Sequence, residues 1–273
     1  VADDPDKAEY LAIYAIFKQF LDNYGNMEEQ EDLLEEMMRL RAEFAFSHAV
    51  RGFGMDYEKA VELLRNYNEG LSKLEREQRN VLVAALDNLI DFAVAEEYQM
   101  SEQVYSEIDE GADMVDCEEI FERYNKTYKK IEDAEIEYAM SIAAGWVAIS
   151  ENTVLTYTTQ GDNRVRPWHM ALEGTSYRKA DFPEWLIPPI DYGCRCYLVE
   201  SADAIVDDRR KMERVMAKAK LEKPDFVNPV FEESVCKGGR IFGKSHSYFN
   251  VPKKDKKRLR DIAKKIKEQW LEL

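Results

Sequence analysis

The residues of this chain best suited to chemistry are Cys194 and Cys196, one residue apart on either side of Arg195, and His169 some way before them. A disulfide between cysteines so close in sequence would be strained, because a bridge needs a specific separation and dihedral angle. Two neighbouring thiolates facing a metal make better chemical sense, with His169 arriving from a distant loop as third ligand. Asp162, Asp191, His246 or a water would then complete a four-coordinate zinc site. The alternative needs no metal: the thiols of Cys194 and Cys196 and the imidazole of His169 are packed and hydrogen-bonded against the loop that contains Pro188 and Pro189. A third option pairs Cys194 with His169 as thiolate and imidazolium, but no orienting Asn or Asp stands out, and the Cys-Arg-Cys spacing suits ligation better than a lone nucleophile. The chain has no Walker-type loop, no Gly-x-Gly-x-x-Gly, no His-Glu-x-x-His and no EF-hand loop, and only three histidines. It is expected not to be an enzyme.

Around this trio stand residues that would shape loops. Arg164, Arg166 and Arg195 can hold Asp162, Glu173 and Asp191 in internal ion pairs, or stay free for a partner's carboxylates or phosphates. Gly174 and Gly193 suit turns that other residues resist, and Pro188-Pro189 stiffens the approach to Cys194.

The elements that must position these residues change character along the chain. Up to about residue 151 the apolar residues recur at three and four, as in Tyr10, Ile13, Tyr14, Phe17, Phe20 and Leu21, which predicts helix. Breaks at 23–26, 51–54, 66–70 and Gly111 divide this stretch into five or six helices, and the absence of proline between Pro5 and Pro167 suits an antiparallel bundle. At 153–159 a β-branched and aromatic run, closed by Gln160-Gly161-Asp162-Asn163, reads as a strand and turn. A helix over 203–221, with Ile205, Met212, Val215 and Met216 inward, is expected next, then loop and short strand over 224–249, then a basic amphipathic helix over 253–273. The reading is thus α+β, predominantly α: an acidic helical bundle over 1–151, a small loop-and-strand Cys/His module over 152–200, and a mixed segment over 201–273.

Charge divides the same way. The chain carries 38 Lys and Arg against 54 Asp and Glu, a net −16. Residues 1–150 hold 14 bases against 35 acids and would repel a phosphate backbone, whereas 151–273 hold 24 against 19. The basic stretch over 253–267 therefore reads either as a DNA contact or as a helix docking on acidic protein surface, which the first half of the chain offers in abundance. The acidic clusters over 28–32 and 116–122 read as solvated helix faces. Four cysteines, unevenly placed, exclude a secreted disulfide framework. No apolar run approaches the length needed to span a bilayer, and the acidic start at 1–6 is unlike a signal peptide, so no membrane partner and a cytosolic origin are expected; the chain begins at Val1 rather than Met, so a preceding segment can be missing.

The run Asp162-Asn163-Arg164-Val165-Arg166-Pro167-Trp168-His169, then Ala171-Leu172-Glu173-Gly174, and further on Pro188-Pro189 and Cys194-Arg195-Cys196, resembles the Mu F-like, head-morphogenesis family of tailed phages. The Ala-rich end of the preceding helix, 143–148, fits the same pattern, while Gly238-Gly239-Arg240-Ile241-Phe242 and His246-Ser247-Tyr248-Phe249 resemble a C-terminal extension of some relatives. In some branches of that family a Cys-x-x-Cys stands where this chain has Arg166-Pro167-Trp168-His169, so the resemblance implies a zinc site here reduced to His169, Cys194 and Cys196. It further implies a minor head protein with a structural, non-enzymatic part in head morphogenesis. Portal or capsid proteins would be its partners, and it would lie in the virion, in the head interior or at the portal vertex, after assembly in the cytoplasm of the bacterial host. Two other readings accompany it: a toxin or effector packaged in phage-like particles through this module, and a zinc-binding protein-interaction module.

Overall fold

The computed structural model describes residues 5–67, 70–111, 113–201 and 227–272. The helix expected over 203–221, with Ile205, Met212, Val215 and Met216, lies outside them.

Local sequence sets the helix ends. Helix α1, Pro5–Asp22, begins with a proline, whose missing N–H costs nothing at a helix start. Helix α2, Met27–Phe53, ends at Gly54, whose left-handed backbone lets its N–H reach back to Arg51 O. The Asp56 carboxylate accepts from the amides of Glu58 and Lys59 at the start of α3, Tyr57–Arg65. Ser72 with Glu75 and Asp113 with Asp116 form reciprocal caps on α4, Lys73–Asp109, and α5, Met114–Glu122. A six-residue π-helical turn, Arg123–Tyr128, then leads into α6, Lys129–Ala148. The breaks and the number of helices expected before residue 151 are those found.

Helices α2, α4 and α6 form the centre of the bundle, around buried Met37, Met38, Phe46, Leu82, Leu89, Ala93, Met140 and Ala143. At Gly52 α2 comes so close to α6 that an added Cβ would lie 2.3 Å from Glu137 O, so no other residue fits without moving a helix. Two ionic networks are buried within this packing. Arg41 Nε lies 2.9 Å from Glu97 Oε1 and 3.4 Å from Glu96 Oε2, and Arg41 Nη2 donates to Asn125 Oδ1 on the π turn. Next to it, His48 lies 2.7 Å from Glu137 and 3.3 Å from Glu9, and Lys129 pairs with Glu9 at 2.8 Å and with Asp133.

After α6 comes a three-stranded antiparallel sheet of order β2-β1-β3: β1, Val154–Thr158; β2, Ser176–Arg178; β3, Tyr197–Glu200. The register pairs Leu155 with Tyr177 and Tyr157 with Leu198. The period of two turns Leu155, Tyr157 and Tyr177 into a second core with Trp146, Leu172, Phe182, Leu186, Ile187, Ile190, Cys194 and Cys196. The molecule is therefore mainly α with a small β element, as the sequence indicates.

Residues 227–272 share the bundle's core. Asn88 of α4 accepts from the amides of Ile241 and Phe242 and donates to Phe242 O, and Phe92 stacks on Phe242 with centroids 4.2 Å apart. The last helix, α8, Lys256–Glu272, lays Leu259, Ile262, Ala263 and Ile266 against the bundle. Its bases meet acids there: Arg258 pairs with Glu31, Lys265 with Glu35, and Lys267 with Asp87 and Asp91. Of the two expectations for this segment, docking on the acidic bundle is the one the contacts carry; none of them speaks for a DNA contact. No helix among the described residues is long and apolar enough to cross a membrane.

Candidate functional site

His169 sits on a single helical turn, α7, Pro167–Met170, with Pro167 at its first position. Cys194 and Cys196 lie on the turn that leads into β3. These segments meet across the end of β1, where Tyr157 fills the space beneath them. His169 Nδ1 lies 3.3 Å from Cys196 Sγ and 3.8 Å from Cys194 Sγ, and the three atoms are all within 4.8 Å of one another. All three residues are buried, and the cysteines are free thiols.

The loop carrying the thiols is held at five of its backbone polar groups. The Gly193 N–H donates to the Glu135 carboxylate of α6, Cys194 N to Asp191 O, Arg166 Nη2 to Tyr192 O at 2.6 Å, Gln160 Nε2 to Arg195 O, and the Tyr138 hydroxyl to Cys196 O. Gly193 has φ +64, which turns its N–H towards Glu135 in a conformation that a side chain would strain; Gly174, at φ +79, closes the turn before β2. Arg195 holds Asp162 through both guanidinium nitrogens, at 2.8 and 2.7 Å. Arg166 lies 3.6 Å from Asp191. Glu173 accepts instead from the Thr159 amide, and Arg164 is exposed, with its backbone N–H on Asp162. The Pro188-Pro189 peptide bond is cis.

Electrostatically the two thiols differ. Cys196 is pushed well below the usual thiol range by the hydrogen bond from Cys194, with His169 and Tyr157 adding to it against the cost of burial. Cys194 is pushed up, first by giving its proton to that bond and then by burial. The pair therefore favours one thiolate, on Cys196. The buried Tyr157 hydroxyl forms no hydrogen bond of regular geometry, although it is near enough to help hold that thiolate.

A tetrahedral zinc with one nitrogen and two sulfurs places those atoms about 3.5–3.8 Å apart, and the trio can close to that shape with little movement. Chemically the donor set fits zinc, and the idle Tyr157 oxygen is a further polar atom beside it. Nothing in the sequence singles out Tyr157, because a strand tyrosine reads as core. Against the fit, His169 Nε2 is buried without a partner, whereas a ligating histidine usually donates its second nitrogen to an oriented acceptor. The residues considered as a fourth ligand lie elsewhere. Asp162 is taken by Arg195, and Asp191 accepts from Asn228 and the Tyr192 amide. His246 is packed among Phe92, Phe242 and Tyr248, where burial lowers its pKa to about 4. The free space at the trio is about 20 Å3, enough for about one water or an ion and too small for a substrate.

Comparison with known proteins gives the same region. Residues 99–199 match the family described as Phage Mu protein F like protein. A Mu-like prophage FluMu F protein of Haemophilus influenzae is 38% identical over 63 residues, 22% of this chain and 15% of that protein. An uncharacterized protein of Methanocaldococcus jannaschii is 44% identical over 52 residues, 19% of this chain and 8% of its own length. The chain thus spans only a small part of the curated relatives it matches. No solved structure matches it. From α4 through the Cys/His corner to β3, over residues 99–199, the chain is thus similar to Mu F-like proteins.

Proposed function

We propose that this chain is a minor structural protein of a phage or prophage head, acting in head morphogenesis near the portal, with no reaction of its own. The observation that carries the reading is the family match over 99–199, which ends on the Cys/His corner. The geometry of that corner supports a scaffold rather than a reaction centre: buried thiols, a loop pinned by five hydrogen-bonding groups, and room for no more than an ion. His169, Cys194 and Cys196 would hold zinc there, and the metal would cross-link α7 to the turn before β3. Asp162 with Arg195, Arg166 with Asp191, Gly174 and the prolines shape the loops around it. Portal or capsid proteins are the partners, and the virion is the location.

Mass spectrometry of purified particles from the producing strain tests the role. The chain should be present in particles with filled heads, and deletion of its gene should lower the yield of such heads. Its absence from particles, with head assembly unchanged on deletion, would sink the reading.

A further inference from the structure

A cleft of about 450 Å3 lies away from the Cys/His corner, where α4, the π turn, α6 and the 246–248 turn meet. Its floor is buried and its rim, at Gln103, Ile131 and Ser247, is exposed. Four tyrosines line it, Tyr124, Tyr128, Tyr192 and Tyr248, together with one carboxylate, Glu132. Tyr124 stands edge-on to Tyr128 at 5.3 Å and stacks on Tyr248 at 5.8 Å, and Gln103 donates to the Tyr124 hydroxyl. Among the described residues, no lysine or arginine lines the cleft.

The surroundings leave this carboxylate short of positive charge. Arg41 acts on it from within the bundle, but is already shared between Glu96 and Glu97. Lys129 is taken up by Glu9 and Asp133. His246, the remaining basic group of the lining, is held neutral by burial. Two of the four rings, Tyr124 and Tyr128, are set there by a π-helical turn, a rare irregularity frequently found at functional positions. A buried carboxylate below a set of aromatic faces is the chemistry that selects an organic cation, through one ion pair and several ring contacts.

We propose that this cleft receives a basic side chain, lysine or arginine, from a partner polypeptide, with its charged end on Glu132 and its stem against the tyrosines. The excess of acids nearby favours such a cation over an anion or a neutral group, and the volume suits one side chain rather than a folded element. Burial raises Glu132 to about 7, so the incoming charge also stabilises the ionised carboxylate.

The test is titration of the full chain with the methylamides of N-acetyl-lysine, N-acetyl-arginine and N-acetyl-norleucine, followed by NMR. The two cations should bind in about the millimolar range, and norleucine, which keeps the stem without the charge, at least about tenfold more weakly. Glu132→Gln, close in shape to the native residue, and Tyr128→Leu should each weaken cation binding by about tenfold; circular dichroism reports whether each variant is folded, and either one suffices. Equal binding of norleucine, binding unchanged in a folded variant, or no binding of either cation would overturn the proposal. None of these outcomes depends on a role in phage heads.

Discussion

Cys194 and Cys196 share one turn and one neighbour, His169, yet hold their protons differently, because a single hydrogen bond between them makes one the donor and the other the acceptor. Ligation would replace that shared proton by a metal, since zinc takes thiolates. Elemental analysis of the purified chain is therefore expected to find about one zinc per molecule, falling to background in Cys194→Ser and in His169→Ala. Zinc content that stays near one in both variants would place the metal elsewhere, and its absence from the native chain would leave a corner held by packing and hydrogen bonds. The spacing of the cysteines and their kinship with His169 could be read from the sequence. The orphaned Tyr157 hydroxyl and His169 Nε2 could not, since whether a buried polar atom finds a partner depends on chain segments that sequence does not align.

At the scale of elements, two contacts hold the molecule together in ways that hydrophobic periodicity does not register. Arg41, Glu96 and Glu97 occupy helix positions that face inward between α2 and α4, where a pattern of apolar residues gives no notice of charge. Arg41→Ala would strand two carboxylates in the bundle and is expected to cost about 3–5 kcal/mol, measured by urea unfolding. A loss under about 1 kcal/mol would mean that the packing around these two acids tolerates the loss of Arg41. Asn88 is the second contact, since its side-chain amide takes the place of a strand for the 241–242 backbone. Asn88→Ala leaves two buried N–H groups without acceptors and should cost about 2–3 kcal/mol, with earlier proteolysis within 227–249 than in the native chain. Cleavage at the native rate would show that the Phe92–Phe242 stack alone holds this segment.

For the molecule as a whole, the excess of acid has a consequence in pH. Burial raises Glu135 to about 7, and Glu132 likewise, from an ordinary value of 4.5. The folded chain thus keeps protons that the unfolded chain would release, and stability falls as pH rises from about 4.5 through about 7. The raised His48, favoured by Glu9, Asp133 and Glu137 against burial, acts in the same sense: its contribution is complete below its ordinary value of 6.5 and fades as pH rises through its folded value. Glu9 works the other way: its bonds to His48 and Lys129 outweigh burial and lower it to about 2, so its contribution is present above 4.5 and is lost as pH falls through about 2. The melting temperature should therefore be higher near pH 5.5 than near pH 8, and Glu135→Gln should flatten the difference while raising stability at pH 8 by up to about 3 kcal/mol. A melting temperature that rises steadily from pH 5.5 to pH 8 would contradict this.

The sequence by itself determined the helices and their breaks, because periodicity, caps and glycines act within a few residues of themselves: Asp56 and Ser72 start their helices and Gly54 ends one wherever the helices go. It also determined the composite motif from Asp162 to Cys196 and the basic character of the final helix. Only the tertiary structure decided what these pieces meet. It seated α8 on the acids of α2 and α4 and made a π turn between α5 and α6 that carries both Asn125 to Arg41 and Tyr124 to the cleft. It also brought His169 to the two thiols across a strand. Those outcomes follow from long-range packing and from the need to pair buried charge, for which a one-dimensional pattern holds no record.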